Sequence, residues 1–236
     1  MTVDSNYSCI ENLDNDSLPE HKAALSDIHS LYHHSSSEAI NKIVEKRMIW
    51  FTSFEKQKSE KVFASNKKGI FFVSSFSEAK LSKEELSAHR FKGGTGVGKV
   101  LTLEFTNIFD IFDKDRCCVL VTKKGERYNI RFVGRNSTPN PTEKNELINN
   151  IFVRVHTQKV SYVGNRKNIT ILDVLDSMPL YIANNVGKLV KDHYSYQREI
   201  KMVAELMSAS PFDIEEPERL EIRFNPTVDI ASNKIS

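Results

Sequence analysis

At 236 residues, with 39% hydrophobic and 27% charged residues, the chain has the balance of a folded globular protein and is long enough to bury a substantial core. The 33 basic and 31 acidic residues leave a net charge of +2, so there is no global pull toward nucleic acid and any basic surface must be local. Cys9, Cys117 and Cys118 make neither a disulfide framework nor a zinc spacing, the histidines form no paired metal spacing, and no apolar run is long enough to cross a bilayer. A cytoplasmic protein without a metal is therefore expected. Met1 to Asp16 has no basic start followed by an apolar stretch, so a Sec-type signal is not expected there, and a non-classical route into another cell stays open.

Residues 1–28 are acidic and polar and read as an arm; Ala23, Ala24, Leu25 and Ile28 hint at a short helix before the first strand. Ser35-Ser36-Ser37-Glu38 has the spacing of a capping box, with Ser35 three residues ahead of Glu38, and Ala39, Ile40, Ile43 and Val44 then recur at helical intervals. His33 thus sits where a strand hands over to a helix. Met48 to Phe51 is a brief apolar run, Phe54 to Lys68 reads as a Lys-rich loop, and Gly69 to Val73 is aromatic and β-branched in the manner of a strand. Ser77 to Arg90 turns helical and charged.

Val97 to Phe105 alternates as a strand, and Cys117 to Thr122 with Arg127 to Val133 flank Lys123-Lys124-Gly125-Glu126 as a β-hairpin. Thr142 to Val155 and Ile169 to Lys191 have helical spacing, the second interrupted at Pro179; Glu199 to Leu206 and Leu220 to Phe224 read as closing strands, and residues 226–236 as a tail. Gly93 to Val100 nearly spells a phosphate-binding loop. It lacks the Ser or Thr that holds magnesium, and its context of helix before and strand after is inverted, so it reads as a turn. His89, His156 and His193 have no evident partner, and Lys56, Lys58, Lys61, Lys67 and Lys68 suit a solvated loop or an acidic ligand.

Leu31-Tyr32-His33-His34-Ser35 resembles the first strand of diphtheria-toxin-like and poly(ADP-ribose)-polymerase-like ADP-ribosyltransferases, where an aromatic-His-Gly-Ser or -Thr stretch holds NAD. Lys68-Gly69-Ile70-Phe71-Phe72-Val73, followed by Ser77 and Ala79, is similar to their second signature, with Phe71 standing where Tyr stacks on nicotinamide. Tyr196 to Val203 resembles the late strand that carries their catalytic Glu, which falls here on Glu199. A bacterial family of uncharacterised function, read as a branch of the same superfamily, is similar over nearly the whole chain. Tyr32-His33-His34-Ser35, Phe76-Ser77-Glu78, Gly98 to Phe105 and Gln197 to Lys201 carry that likeness. Lys201 replaces its Arg, Gln197 replaces its first Glu, and its Trp is absent near His89-Arg90-Phe91, which gives the transfer step less support than NAD binding.

The resemblance implies an α+β fold of two split antiparallel sheets around an NAD cleft with flanking helices, occupying residues 29–225. It implies Glu199 and His33 as catalytic groups, Glu199 stabilising an oxocarbenium-like ribose. His33 would orient the cofactor and Ser35 anchor the nicotinamide amide. Tyr32, His34, Gly69, Phe71, Phe72 and Ser77 complete the cofactor site. The expected activity is mono-ADP-ribosyl transfer from NAD to an unidentified protein, nucleic-acid or small-molecule acceptor, in the manner of a toxin or effector. NAD hydrolysis and a non-catalytic NAD- or ADP-ribose-binding module are the alternatives. The resemblance implies that His33, Phe71 and Glu199 line one pocket. Whether Glu199 and His33 converge on one cleft, and whether NAD is consumed, separates the three readings.

Overall fold

A computed structural model describes residues 25–53, 70–82, 98–139, 145–159, 161–163, 189–191, 198–208, 214 and 216–234. The helix-bearing α+β cleft expected from the resemblance is not what these residues form. Strands dominate, and seven of them close into a barrel. The strands are β1 (Ser30–Ser35), β2 (Met48–Ser53), β3 (Ile70–Ser77), β4 (Lys99–Glu104), β5 (Cys118–Thr122), β6 (Arg127–Phe132) and β7 (Glu146–Lys159). They continue with β8 (Ser161–Val163), β9 (Leu189–Lys191), β10 (Glu199–Ser208), β11 (Pro217–Arg223) and β12 (Asp229–Lys234). The α-helix α1 (Ser37–Lys46) joins β1 to β2.

The barrel runs β10-β7-β6-β5-β11-β2-β3 and closes where β3 pairs with β10. An odd number of strands cannot close with every neighbour antiparallel, and the parallel β6–β7 pair resolves this. Closure also covers the edge of β10, which would otherwise invite pairing with another chain. On its other edge β3 is shared, pairing with β2 at Phe72 and Val73 and with β1 at Ser77. There a wing of β1, β4 and β12 leaves the barrel. Strand β12 lies in the stretch read as a C-terminal tail, and β8 with β9 make a separate parallel pair.

Period-two alternation sends Ile49, Phe51, Phe72, Phe76, Leu120, Ile130, Val153, Ile200, Met202 and Ile222 into one continuous core. Each such side chain removed from water contributes roughly 1.5–3 kcal/mol. Ser74 also lies on the inward face of β3, and its buried Oγ has no hydrogen-bond partner. Since an unsatisfied buried hydroxyl costs about 1–3 kcal/mol, Ser74→Ala is expected to leave the thermal midpoint unchanged or raise it. A lowered midpoint would mean that the hydroxyl is bonded in solution.

Helix α1 is capped by Ser36, whose side chain accepts from Ala39 N at 3.2 Å, one residue later than the spacing from Ser35 suggested. Ser35 instead ends β1, and Glu38 pairs with Lys42. The helix ends at Arg47, left-handed at φ 50°, whose guanidinium donates to the Val228 carbonyl at 2.7 Å and so fixes the turn into β12. The hairpin around Gly125 (φ 85°) forms between β5 and β6.

The described part of Thr142 to Val155, from Asn145 onward, is not a helix. Residues from Glu146 onward belong to β7, and the register against β6 jumps from Ile130–Ile148 to Arg131–Phe152. That irregularity shifts the phase of alternation midway, leaving Leu147, Ile148, Ile151, Phe152 and Val155 at spacings that mimic a helix. Ser77 ends β3 rather than starting a helix. Of the second helical stretch only Leu189 to Lys191 is described, as β9; Gly69, the Lys-rich loop and Gly93 to Val97 lie outside the described residues.

Candidate functional site

The junction of barrel and wing brings together chemically active side chains from three strands. Ser77 on β3 faces Tyr32 of β1 on one side and Glu199 of β10 on the other, and Ser75 faces Lys201. Residues directly opposite in antiparallel strands share a face. Tyr32, Ser75, Ser77, Glu199 and Lys201 therefore lie together on the outer face of the sheet, and His34, two residues beyond Tyr32, belongs to it too. The alternating inward residues Phe76, Ile200 and Met202 confirm the parity, being part of the core.

Glu199 enters this face directly after Arg198, which is left-handed at φ 41°, a conformation that costs an L-residue roughly 1–2 kcal/mol. The turn is held by Glu78 N donating to the Arg198 carbonyl at 3.0 Å. Ser77 Oγ donates to the Ala79 carbonyl at 2.8 Å, and Leu81 N donates to His34 Nε2 at 3.3 Å. His34 thus holds its Nε2 as an acceptor, which makes it the Nδ1-protonated tautomer when neutral.

The Glu199 carboxylate accepts from the Ser75 hydroxyl and stands 4.0 Å from the Lys201 ammonium. The Lys201 side chain is only 2% exposed and that of Glu199 14%. Burial pushes the Glu199 carboxyl up from 4.5 to about 7, with the Ser75 bond pulling the other way, and lowers the Lys201 ammonium from 10.5 to about 8. Although the two are within ion-pair distance, loss of water outweighs their attraction in both groups. The result is a carboxyl and an amine that both change charge near neutrality, beside two hydroxyls. Such groups suit proton transfer.

A carboxyl whose folded-state value lies above its unfolded one stabilises the fold most at low pH, and loses that contribution as pH rises from 4.5 through about 7. His33 works oppositely below 6.5, because burial lowers it. The Glu199 contribution is therefore read as a difference. The thermal midpoint of the natural chain minus that of Glu199→Gln is expected to fall between pH 4.5 and about 7. A difference that stays flat would place the carboxyl in water.

The sequence-derived residues divide between the two faces. His33 lies on the core side of β1 with Leu31, its ring 5.6 Å from that of Phe76 and its Nδ1 2.9 Å from the Ser75 carbonyl. A carbonyl only accepts, so Nδ1 carries the proton, and burial lowers the pKa of the ring despite this bond. His33 and Glu199 thus meet at Ser75 from opposite faces, one through its carbonyl and the other through its hydroxyl. Ser35 and Phe72 share the core-side parity. Phe71 is on the Glu199 face, but six residues along β3 from Ser77, about 20 Å away at strand rise. His33, Phe71 and Glu199 do not line one pocket.

Ser75 and Lys201 were not among the sequence-derived site residues. Their signal was available in Glu199-Ile200-Lys201-Met202, where polar residues occupy the positions opposite to the core, and in the serines that follow the aromatic run of β3. Among the described residues no group of three His, Cys, Asp or Glu is placed to hold a metal, and no helix is long and apolar enough to cross a membrane. No family model, curated protein or solved structure matches the chain.

Proposed function

We propose that the chain acts on NAD at the outer face around Glu199, breaking the nicotinamide–ribose bond and passing ADP-ribose to an acceptor or to water. The observation that carries this reading is Glu199 itself. It is a desolvated carboxyl bonded to Ser75 and set beside Lys201, on the face shared with Tyr32 and His34. As the bond breaks, its electron pair leaves with nicotinamide, and the carboxylate stabilises the positive charge growing on the ribose. The acceptor's lone pair then attacks the ribose carbon, and its proton passes to Glu199. Tyr32 and His34, rather than His33, supply the ring and the hydrogen-bonding nitrogen on the reacting side.

A non-catalytic module for NAD or ADP-ribose is the second reading. It is favoured by His33 and Ser35, two of the residues carrying the resemblance, having core-side parity. Incubating the full chain with NAD labelled in the nicotinamide ring separates the two. Free nicotinamide above a protein-free control supports chemistry, saturable NAD binding without release supports the module, and neither outcome removes both readings.

A further inference from the structure

The outer face continues along β7 and β10 to a second polar cluster, which owes nothing to the NAD reading. Arg154 on β7 faces Glu205 on β10, and His156 stands two residues beyond it. Phe71 of β3 faces Glu205 from the opposite side. Arg154 is only 5% exposed, yet its Nε and Nη2 have no hydrogen-bond partner. Glu205 does not supply one: its carboxylate is turned to His156, Oε2 lying 3.3 Å from Nε2. Among the described residues no carboxylate stands within ion-pair distance of Arg154.

Burying charged N–H groups without partners is costly. The two unpaired atoms also have a definite geometry. Nε–H and the nearer N–H of Nη2 point the same way, as the side-on edge of the guanidinium, which fits two oxygens of one planar or tetrahedral oxyanion. We infer that Arg154 anchors an anion site, taking a ligand that presents a phosphate or carboxylate group to that edge. Glu205 is restrained beside it by His156, which keeps the negative charge turned from the incoming anion. Phe71 offers an apolar wall on the same face. The site lies about 20 Å from Glu199 along β10, at six residues of strand rise.

The test is calorimetric titration of the full chain with inorganic phosphate, pyrophosphate and acetate at constant ionic strength. Saturable binding of at least one anion is expected, weakened tenfold or more by Arg154→Gln and less by Arg154→Lys, with Glu199→Gln binding like the natural chain. A preference for phosphate or for acetate names the ligand group. No saturable binding, or equal binding by Arg154→Gln, overturns the site. Should Arg154→Gln fail to fold, Glu205→Gln serves instead: removing the competing carboxylate should tighten anion binding severalfold, and unchanged affinity would overturn the assignment. The titrations contain no NAD and read only Arg154, so their outcome is independent of whether the chain releases nicotinamide.

Discussion

Glu199→Gln is expected to lower nicotinamide release by about 10²-fold or more at saturating NAD, as removal of one preorganised electrostatic group does. Gln keeps the size of the side chain and can still meet the Ser75 hydroxyl, so the change is confined to charge and proton capacity. Affinity for NAD should stay close to that of the natural chain, because the carboxylate acts on charge that develops only as the bond breaks. The variant should also fold at least as well near neutrality. A carboxyl held at about 7 by burial is charged at a cost to the fold above that pH, and Gln carries no such charge. Nicotinamide release and NAD affinity are measured side by side on the two proteins. Equal release would remove Glu199 from the chemistry. Release lost together with affinity would make it a binding residue.

Local chemistry made much of the chain readable. A cap and helical spacing mark α1, and the Gly-containing turn marks the β5–β6 hairpin. Alternation marks β10, where Ile200, Met202 and Ala204 are buried in the core. What did not follow was the closure of the barrel, because it depends on pairing β3 with β10 across a long stretch of chain, and the hydrophobic pattern of either strand is satisfied equally by an open sheet. Strand β7 was hidden by its own register shift. At the site, Glu199 stood out by its setting, but its separation from His33 depends on which residues stand opposite Ser77. A one-residue change in that register would have placed the pair on one face.

Phe72→Ala is expected to cost about 3–5 kcal/mol, the range for removing a buried aromatic side chain and leaving a cavity behind. Phe72 has no exposed surface and sits at the closure of the barrel, facing Ser53 of β2 on one side and Ala204 of β10 on the other. Both flanking residues are small. Neither can swing into the space, so the cavity should persist rather than collapse. Against a typical domain stability of about 5–15 kcal/mol the loss is large enough to unfold a sizeable fraction of the chain at physiological temperature. Trp50 provides the contrast. It is 47% exposed on the outside of β2, with the Arg219 guanidinium 4.6 Å from its ring centroid, an arrangement worth about 0.5–1 kcal/mol at an exposed site. Denaturant midpoints of Phe72→Ala and Trp50→Ala should therefore differ widely, with the slope unchanged in both. Similar small shifts would mean that β3 and β10 do not seal a packed interior in solution.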